Sequence, residues 1–292
     1  MAHVVRRGDD RGPLRRPVLV AAFEGWNDAG EAATFAARFL AERWDADVFA
    51  EIDPEEFFDF TSTRPQVRLD DGMQREIVWP STTLSSASPL GSERDVIFVI
   101  GSEPQLRWRT FCDEIVRVAR EHDVRLVVTL GALLAEVPHS RPVNVVGTTQ
   151  DEALIDSLGL RQSSYEGPTG IVGVLHDAFR GAGVPSVSLW AAVPTYVPSA
   201  PSPKAALALV ERLSTLLHVP VATTDLEIAS ASYERQIDEL VAEDDDTAAY
   251  VARLEESADE EAEADDGSPL QDANTGDLIA EVERFLRDNP GS

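Results

Sequence analysis

The run Pro17-Val18-Leu19-Val20-Ala21-Ala22 is apolar without interruption, too short for a buried helix, and gives way to a polar turn and then a helical period. That order predicts a strand buried on both faces of a parallel sheet, followed by its crossover helix. The same rhythm recurs to about residue 220. Strands are predicted at 17–22, 48–52, 67–69 with 75–79, 95–100, 125–130, 143–147 and 187–193; helices are predicted at 29–44, 105–121, 151–158, 169–181 and 204–217. Such alternation specifies an α/β fold with a parallel or mixed sheet. Asp70-Asp71-Gly72 between two strand segments reads as a hairpin, so part of the sheet is expected to be antiparallel.

The first strand-to-helix turn, Phe23 to Gly30, carries polar groups at its tip. Open α/β sheets place their sites at such turns. Asp28 with Glu31 three residues on has the spacing of a capping box at the helix start. The helix that follows carries Phe35, Phe39 and Leu40 as its apolar face, with alanines at 32, 33, 36 and 37 for close packing. Trp26 either covers a pocket or a partner site, or folds back over the core edge.

At 292 residues the chain makes one large domain or two ordinary ones, and 43% hydrophobic content supplies a sizeable core. No apolar stretch approaches the roughly 20 residues that span a bilayer. The first 16 residues carry five arginines and no apolar segment, so no secretory signal is read and a cytoplasmic protein is expected. Cys112 is the single cysteine and shares a helical face with Trp108, Phe111, Ile115 and Val118, which reads as a core thiol.

The net charge of −27 is mostly local: from Asp225 to Ser292 there are 22 Asp or Glu against 4 Arg, a local charge of −18. Such a surface repels phosphate backbones and anionic lipid, so neither nucleic acid nor membrane is expected as a partner. Beyond residue 220, segments 226–242 and 247–256 have helical periodicity. Glu255 to Gly267 is nearly all Asp, Glu and Ala and reads as a self-repelling stretch that does not order. A last short helix is read at 276–287. The expected division is an α/β core over 1–220, a helical extension over 221–256, and an acidic, largely disordered tail over 257–292.

Polar clusters follow several strands: Glu103 after the strand at 95–100, Pro138-His139-Ser140-Arg141-Pro142 after 125–130, and Thr195-Tyr196 after 187–193. Glu166 to Gly170 opens the helix near Thr169. His139 with Arg141 and nearby carboxylates has the chemistry for proton transfer or for holding an anion. The alternative is a stiff loop whose His139 and Arg141 pair with Glu103 or Glu166. No GxSxG elbow, phosphate-binding loop or HExxH metal pair occurs, and the five histidines include no pair four residues apart. No catalytic residue, metal ligand or cofactor is therefore assigned. The candidate ligand or partner site comprises Trp26, Asn27, Asp28, Glu103, His139, Arg141, Glu166 and Thr169.

Taken in order, GWNDAG at 25–30, DPEEFFDFTSTRP at 53–65, Gly101 to Pro104 with Trp108, LGALLAEVPHSRP at 130–142, YEGPTG at 165–170, LWAAVPTYV at 189–197 and PSPKAALAL at 201–209 resemble the proteasome assembly chaperone 2 family, in its actinobacterial branch. The resemblance implies a three-layer α/β/α fold with a mostly parallel mixed sheet, similar to nucleoside phosphorylase and hydrolase-like folds. It implies a homo-oligomer, with a trimer as the expected form, and proteasome subunits as partners. Some archaeal relatives dock through a C-terminal hydrophobic-Tyr-any tripeptide, whereas this sequence ends Pro290-Gly291-Ser292. Thr195 stands where many relatives carry His.

Two functions compete at this point. One is a chaperone-like interaction protein. The other is a phosphorylase-like or hydrolase-like enzyme, or a small-molecule-binding protein, with a pocket at the carboxyl edge of the sheet. Geometry discriminates: an enzyme brings His139, Arg141 and two carboxylates within hydrogen-bond reach in a concavity, and an interaction protein pairs them off.

Overall fold

The computed structural model describes residues 3–6, 12–70, 74–152, 154–155, 160–162 and 166–265. Its elements are β1 (Val4–Arg6), β2 (Val18–Glu24), α1 (Ala32–Arg43), β3 (Asp47–Ile52), β4 (Gln66–Asp70), β5 (Gln74–Val78), β6 (Thr82–Ala87), β7 (Val96–Ser102), α2 (Trp108–Glu121), β8 (Leu126–Ala135), β9 (Val145–Thr149), β10 (Arg161–Gln162), α3 (Ile171–Ala182), β11 (Ser186–Pro194), α4 (Pro203–Leu217), α5 (Thr224–Ala242) and α6 (Asp245–Asp265). The expected helix at 151–158 falls partly, and that at 276–287 wholly, outside the described residues.

A nine-stranded sheet runs in the order β1-β3-β6-β7-β2-β8-β11-β9-β10. Its centre, β7-β2-β8-β11, is parallel. Antiparallel partners flank it, with β6, β3 and β1 on one side and β9 on the other. The sheet is thus mixed, and the β4–β5 hairpin is not part of it. That hairpin forms a separate two-stranded ribbon, so the antiparallel strands of the sheet come from elsewhere.

Because strand side chains alternate, the unbroken apolar run of β2 is buried on both faces. Val18, Val20 and Ala22 belong to the core under α1 and α4, and Leu19, Ala21 and Phe23 to the core shared with α2 and α3. Full burial of residues such as Phe98, Phe111 or Leu175 contributes roughly 1.5–3 kcal/mol each. In α1 the alanines do most of the close packing. Ala32, Ala33, Ala36, Ala37 and Leu40 are fully buried, whereas Phe35 and Phe39 sit partly exposed at the core edge.

Strand β6 has no apolar run, yet it lies inside the sheet between β3 and β7. Its Ser and Thr side chains hide its strand character. At the other end, the acidic stretch expected to stay unordered is helical through Asp265. Ala and Glu are strong helix formers, so backbone propensity supports this helix where burial cannot. Val251 is 4% exposed and fastens its first half to the body.

Candidate functional site

Chain direction places the first turn at a switch point. From β2 the chain passes to α1 on one face, and from β7 to α2 on the other. A crevice at the carboxyl ends of β2 and β7 follows from that divergence. Gly25 (φ 121°) and Gly30 (φ 57°) bend the turn through backbone conformations that side chains disfavour. The Asn27 carbonyl accepts from Ala132 N at 2.8 Å, which ties the turn to β8.

Asp28 is 7% exposed and is consumed by helix capping. Its Oδ1 accepts from the amides of Ala33 (2.7 Å) and Thr34 (3.2 Å), and Oδ2 from the Thr34 hydroxyl (2.5 Å). The cap differs from the expected box, because a 3₁₀ turn over Ala29–Glu31 precedes α1 and leaves Glu31 exposed in a left-handed conformation (φ 52°). Burial raises the Asp28 pKa above the ordinary carboxylate value, and the bonds from Thr34 and Ala33 only partly offset it.

Glu103 joins the turn to α3. Its Oε1 accepts from Ile171 N at 2.7 Å, satisfying an amide of the first helical turn. Burial raises its pKa, against the bonds from the Ile171 and Trp26 amides. Gly170 allows this approach. A Cβ there would strike Asn27 Oδ1 and stand 2.9 Å from Glu103 Oε1 and 3.0 Å from Trp26 Cε3. Trp26, Asn27, Glu103 and the start of α3 are therefore brought together at one edge.

The other candidates lie elsewhere. His139 is 3% exposed, and Tyr196 OH accepts its backbone N–H at 2.7 Å. Its Nδ1 lies 2.8 Å from the same hydroxyl, and its Nε2 lies 3.0 Å from Asp238 Oδ1 of α5. Burial pushes the Tyr196 hydroxyl up to about 12. Arg141 grips Asp259 of α6 with Nε and Nη2 at 2.7 and 2.8 Å, and Ser140 donates to Glu255. The loop is thus stiffened by pairing, but with the C-terminal helices and not with Glu103 or Glu166. Glu166 is exposed and stands outside the cavity lining. Cys112 is fully buried, and burial pushes its thiol up to about 12.

A cavity of about 1000 Å³ opens between α3 and the β9–β11 face, lined by Trp26, Asn27, Thr169, His176, Ser188 and Trp190 among others. Three of the candidate residues, Trp26, Asn27 and Thr169, reach it. His176, Ser186, Ser188 and Trp190 were not singled out in the sequence, although one signal was present. Serines 186 and 188 alternate along a strand otherwise built for burial, so both must meet polar partners on one face. Among the described residues no cluster of His, Cys, Asp or Glu has metal-binding geometry, and no helix is long and apolar enough to cross a membrane.

A family model described as the PAC2 family matches residues 22–241. The chain belongs to the PAC2 family. A PAC2 family protein from Streptomyces avermitilis is 48% identical in sequence, with a TM-score of 0.74 over 80% of this chain and 99% of that one. A Mycobacterium tuberculosis proteasome-assembly chaperone homologue is 49% identical, with a TM-score of 0.73 over the same shares. A Mycobacterium tuberculosis protein of unknown function is 26% identical, and its TM-score of 0.83 extends over 99% of this chain and 97% of that one. No curated protein matches. The three-layer α/β/α architecture expected from the PAC2 resemblance is the one observed, with α1 and α4 on one face and α2 and α3 on the other.

Proposed function

We propose that this PAC2 protein is a proteasome-assembly-chaperone-like factor that works through protein–protein contacts. The observation that carries the reading is the 49% identity to a Mycobacterium tuberculosis proteasome-assembly chaperone homologue, over 99% of that chain. The site geometry supports it. His139 and Arg141 are tied to the C-terminal helices, Asp28 caps α1, and Glu103 caps α3, so the polar groups that an enzyme would converge on a substrate are dispersed and paired.

The β4–β5 ribbon supports an interaction role as well. Val67 (63%), Leu69 (63%), Ile77 (56%) and Trp79 (46%) leave a large apolar area exposed on and beside it. Contiguous apolar surface of this kind marks interaction sites. The proposal includes a homo-oligomer, a trimer in its simplest form, a cytoplasmic location, and a division near residue 220 between the α/β core and a helical extension whose acidic face meets basic surfaces.

The test is capture from the cytoplasm of an organism that has a proteasome, with the full chain as bait. Recovery of proteasome α-subunits is expected; repeated capture without them contradicts the proposal.

A further inference from the structure

We propose that the cavity beside α3 binds a flat heterocycle with a hydroxylated arm, of which a nucleoside is the simplest example. The inference does not depend on the proposed function.

Its floor is built by register. Ser186, Ser188 and Trp190 alternate along β11 and share the face toward α3; Ser188 lies opposite Thr129, and Trp190 opposite Gly131. The indole packs closely on the Gly131 backbone: a Cβ at 131 would sit 2.5, 2.6 and 2.9 Å from three ring atoms. Half-buried Trp190 lines the cavity, offering a planar surface on which a ring stacks.

At one end stands Asn27. It is 4% exposed and lines the cavity, and its Oδ1 has no hydrogen-bond partner among the described residues. A buried carbonyl without a donor is costly, and such groups call for an explanation. The oxygen packs on Gly170, which leaves no room for a ligand donor, so Asn27 shapes this end of the cavity.

At the other end a hydroxyl relay reaches the floor. Ser186 Oγ lies 2.7 Å from His176 Nδ1, His176 Nε2 lies 2.8 Å from Thr129 Oγ1, and Thr129 Oγ1 lies 2.9 Å from Ser188 Oγ. Burial lowers the His176 pKa to about 4, so the ring is neutral near pH 7 and exists in two tautomers. With hydrogen on Nδ1, Thr129 donates to Nε2 and accepts from Ser188, which then presents a lone pair to the cavity. With hydrogen on Nε2, every bond reverses and Ser188 presents its hydrogen. The relay therefore matches either role of a ligand hydroxyl.

The floor is rich in hydroxyls, with Thr148 and Thr149 beside Ser188, whereas the centre of a protein interface is apolar. A small polar occupant fits this lining, and the cavity volume falls at the upper end of the roughly 300–1,000 Å³ of ligand pockets.

The experiment titrates adenosine, guanosine, cytidine and uridine into the full chain at up to millimolar concentration, with ribose as control. Thermal unfolding and tryptophan fluorescence are read for wild type and Ser188→Ala. At least one nucleoside is expected to raise the unfolding midpoint saturably and quench fluorescence. Ser188→Ala is expected to weaken binding about tenfold, the loss of one hydrogen bond. No saturable response to any of the four, or equal affinity in wild type and Ser188→Ala, overturns the proposal.

Discussion

Arg141 holds both carboxylate oxygens of Asp259, 118 residues further along the chain, with Nε and Nη2 at 2.7 and 2.8 Å. This bidentate pair fastens α6 to the loop after β8, beside the Ser140–Glu255 and Lys204–Glu234 contacts. Both partners are solvent-accessible, so water and salt screen the attraction and its effect is local. Asp259→Ala is expected to speed amide hydrogen exchange in α6 and leave exchange in β2 and β8 unchanged. Equal exchange in α6 of variant and wild type would show that the pair does not hold the helix.

Asp28 gives a pH dependence of definite sign. Its folded pKa is raised by burial, so on acidification the folded state takes up this proton before the unfolded state does. Its contribution to stability therefore grows as pH falls through the folded pKa, is complete below the unfolded value, and is least at neutral pH. Asp28→Asn removes this dependence and keeps an acceptor for the α1 amides. Urea unfolding is expected to show the variant gaining on wild type as pH rises from about 3 to 7, the span that brackets the carboxylate pKa. A constant difference contradicts the burial argument.

Gly170→Ala puts a methyl group against Asn27 Oδ1, Glu103 Oε1 and the Trp26 ring. Two of the three have no slack, since Glu103 is held by Ile171 N and Asn27 is buried. Overpacking of this kind costs about 1–3 kcal/mol. Denaturant unfolding and tryptophan emission measure it, with destabilisation and a shifted emission maximum as the expected pair. Unchanged stability would mean that the turn yields freely.

Cys112 is expected to be inert in the folded protein. Burial pushes its thiol up to about 12, so almost no thiolate exists at pH 8, and the side chain is fully buried. Labelling by a thiol reagent is expected to be slow in the native state and immediate in urea. Rapid native labelling would contradict the core placement.

The elements that were legible in the sequence are those whose signal is local. The run 17–22 reads as a strand because each face of it meets a core, and Ser202 with Pro203 opens α4 as its cap and first turn. Strand β6 was illegible because Thr82, Ser85 and Ser86 are buried by neighbouring strands and not by their own hydrophobicity. The site divides in the same way. Asp28 is recognisable as a cap from its position, although the 3₁₀ turn moved its targets to Ala33 and Thr34. His139 and Asp238 lie 99 residues apart, and no spacing rule connects them. The unpartnered Asn27 oxygen follows only from how closely Gly170 approaches it.

The central claim is that this chain acts on proteasome subunits, and native mass spectrometry of the full chain mixed with purified actinobacterial proteasome α-subunits tests it most directly. We expect complexes of the chain with α-subunits, and a change in the rate at which α-rings appear. Free chain beside α-rings that assemble at an unaltered rate would contradict the claim.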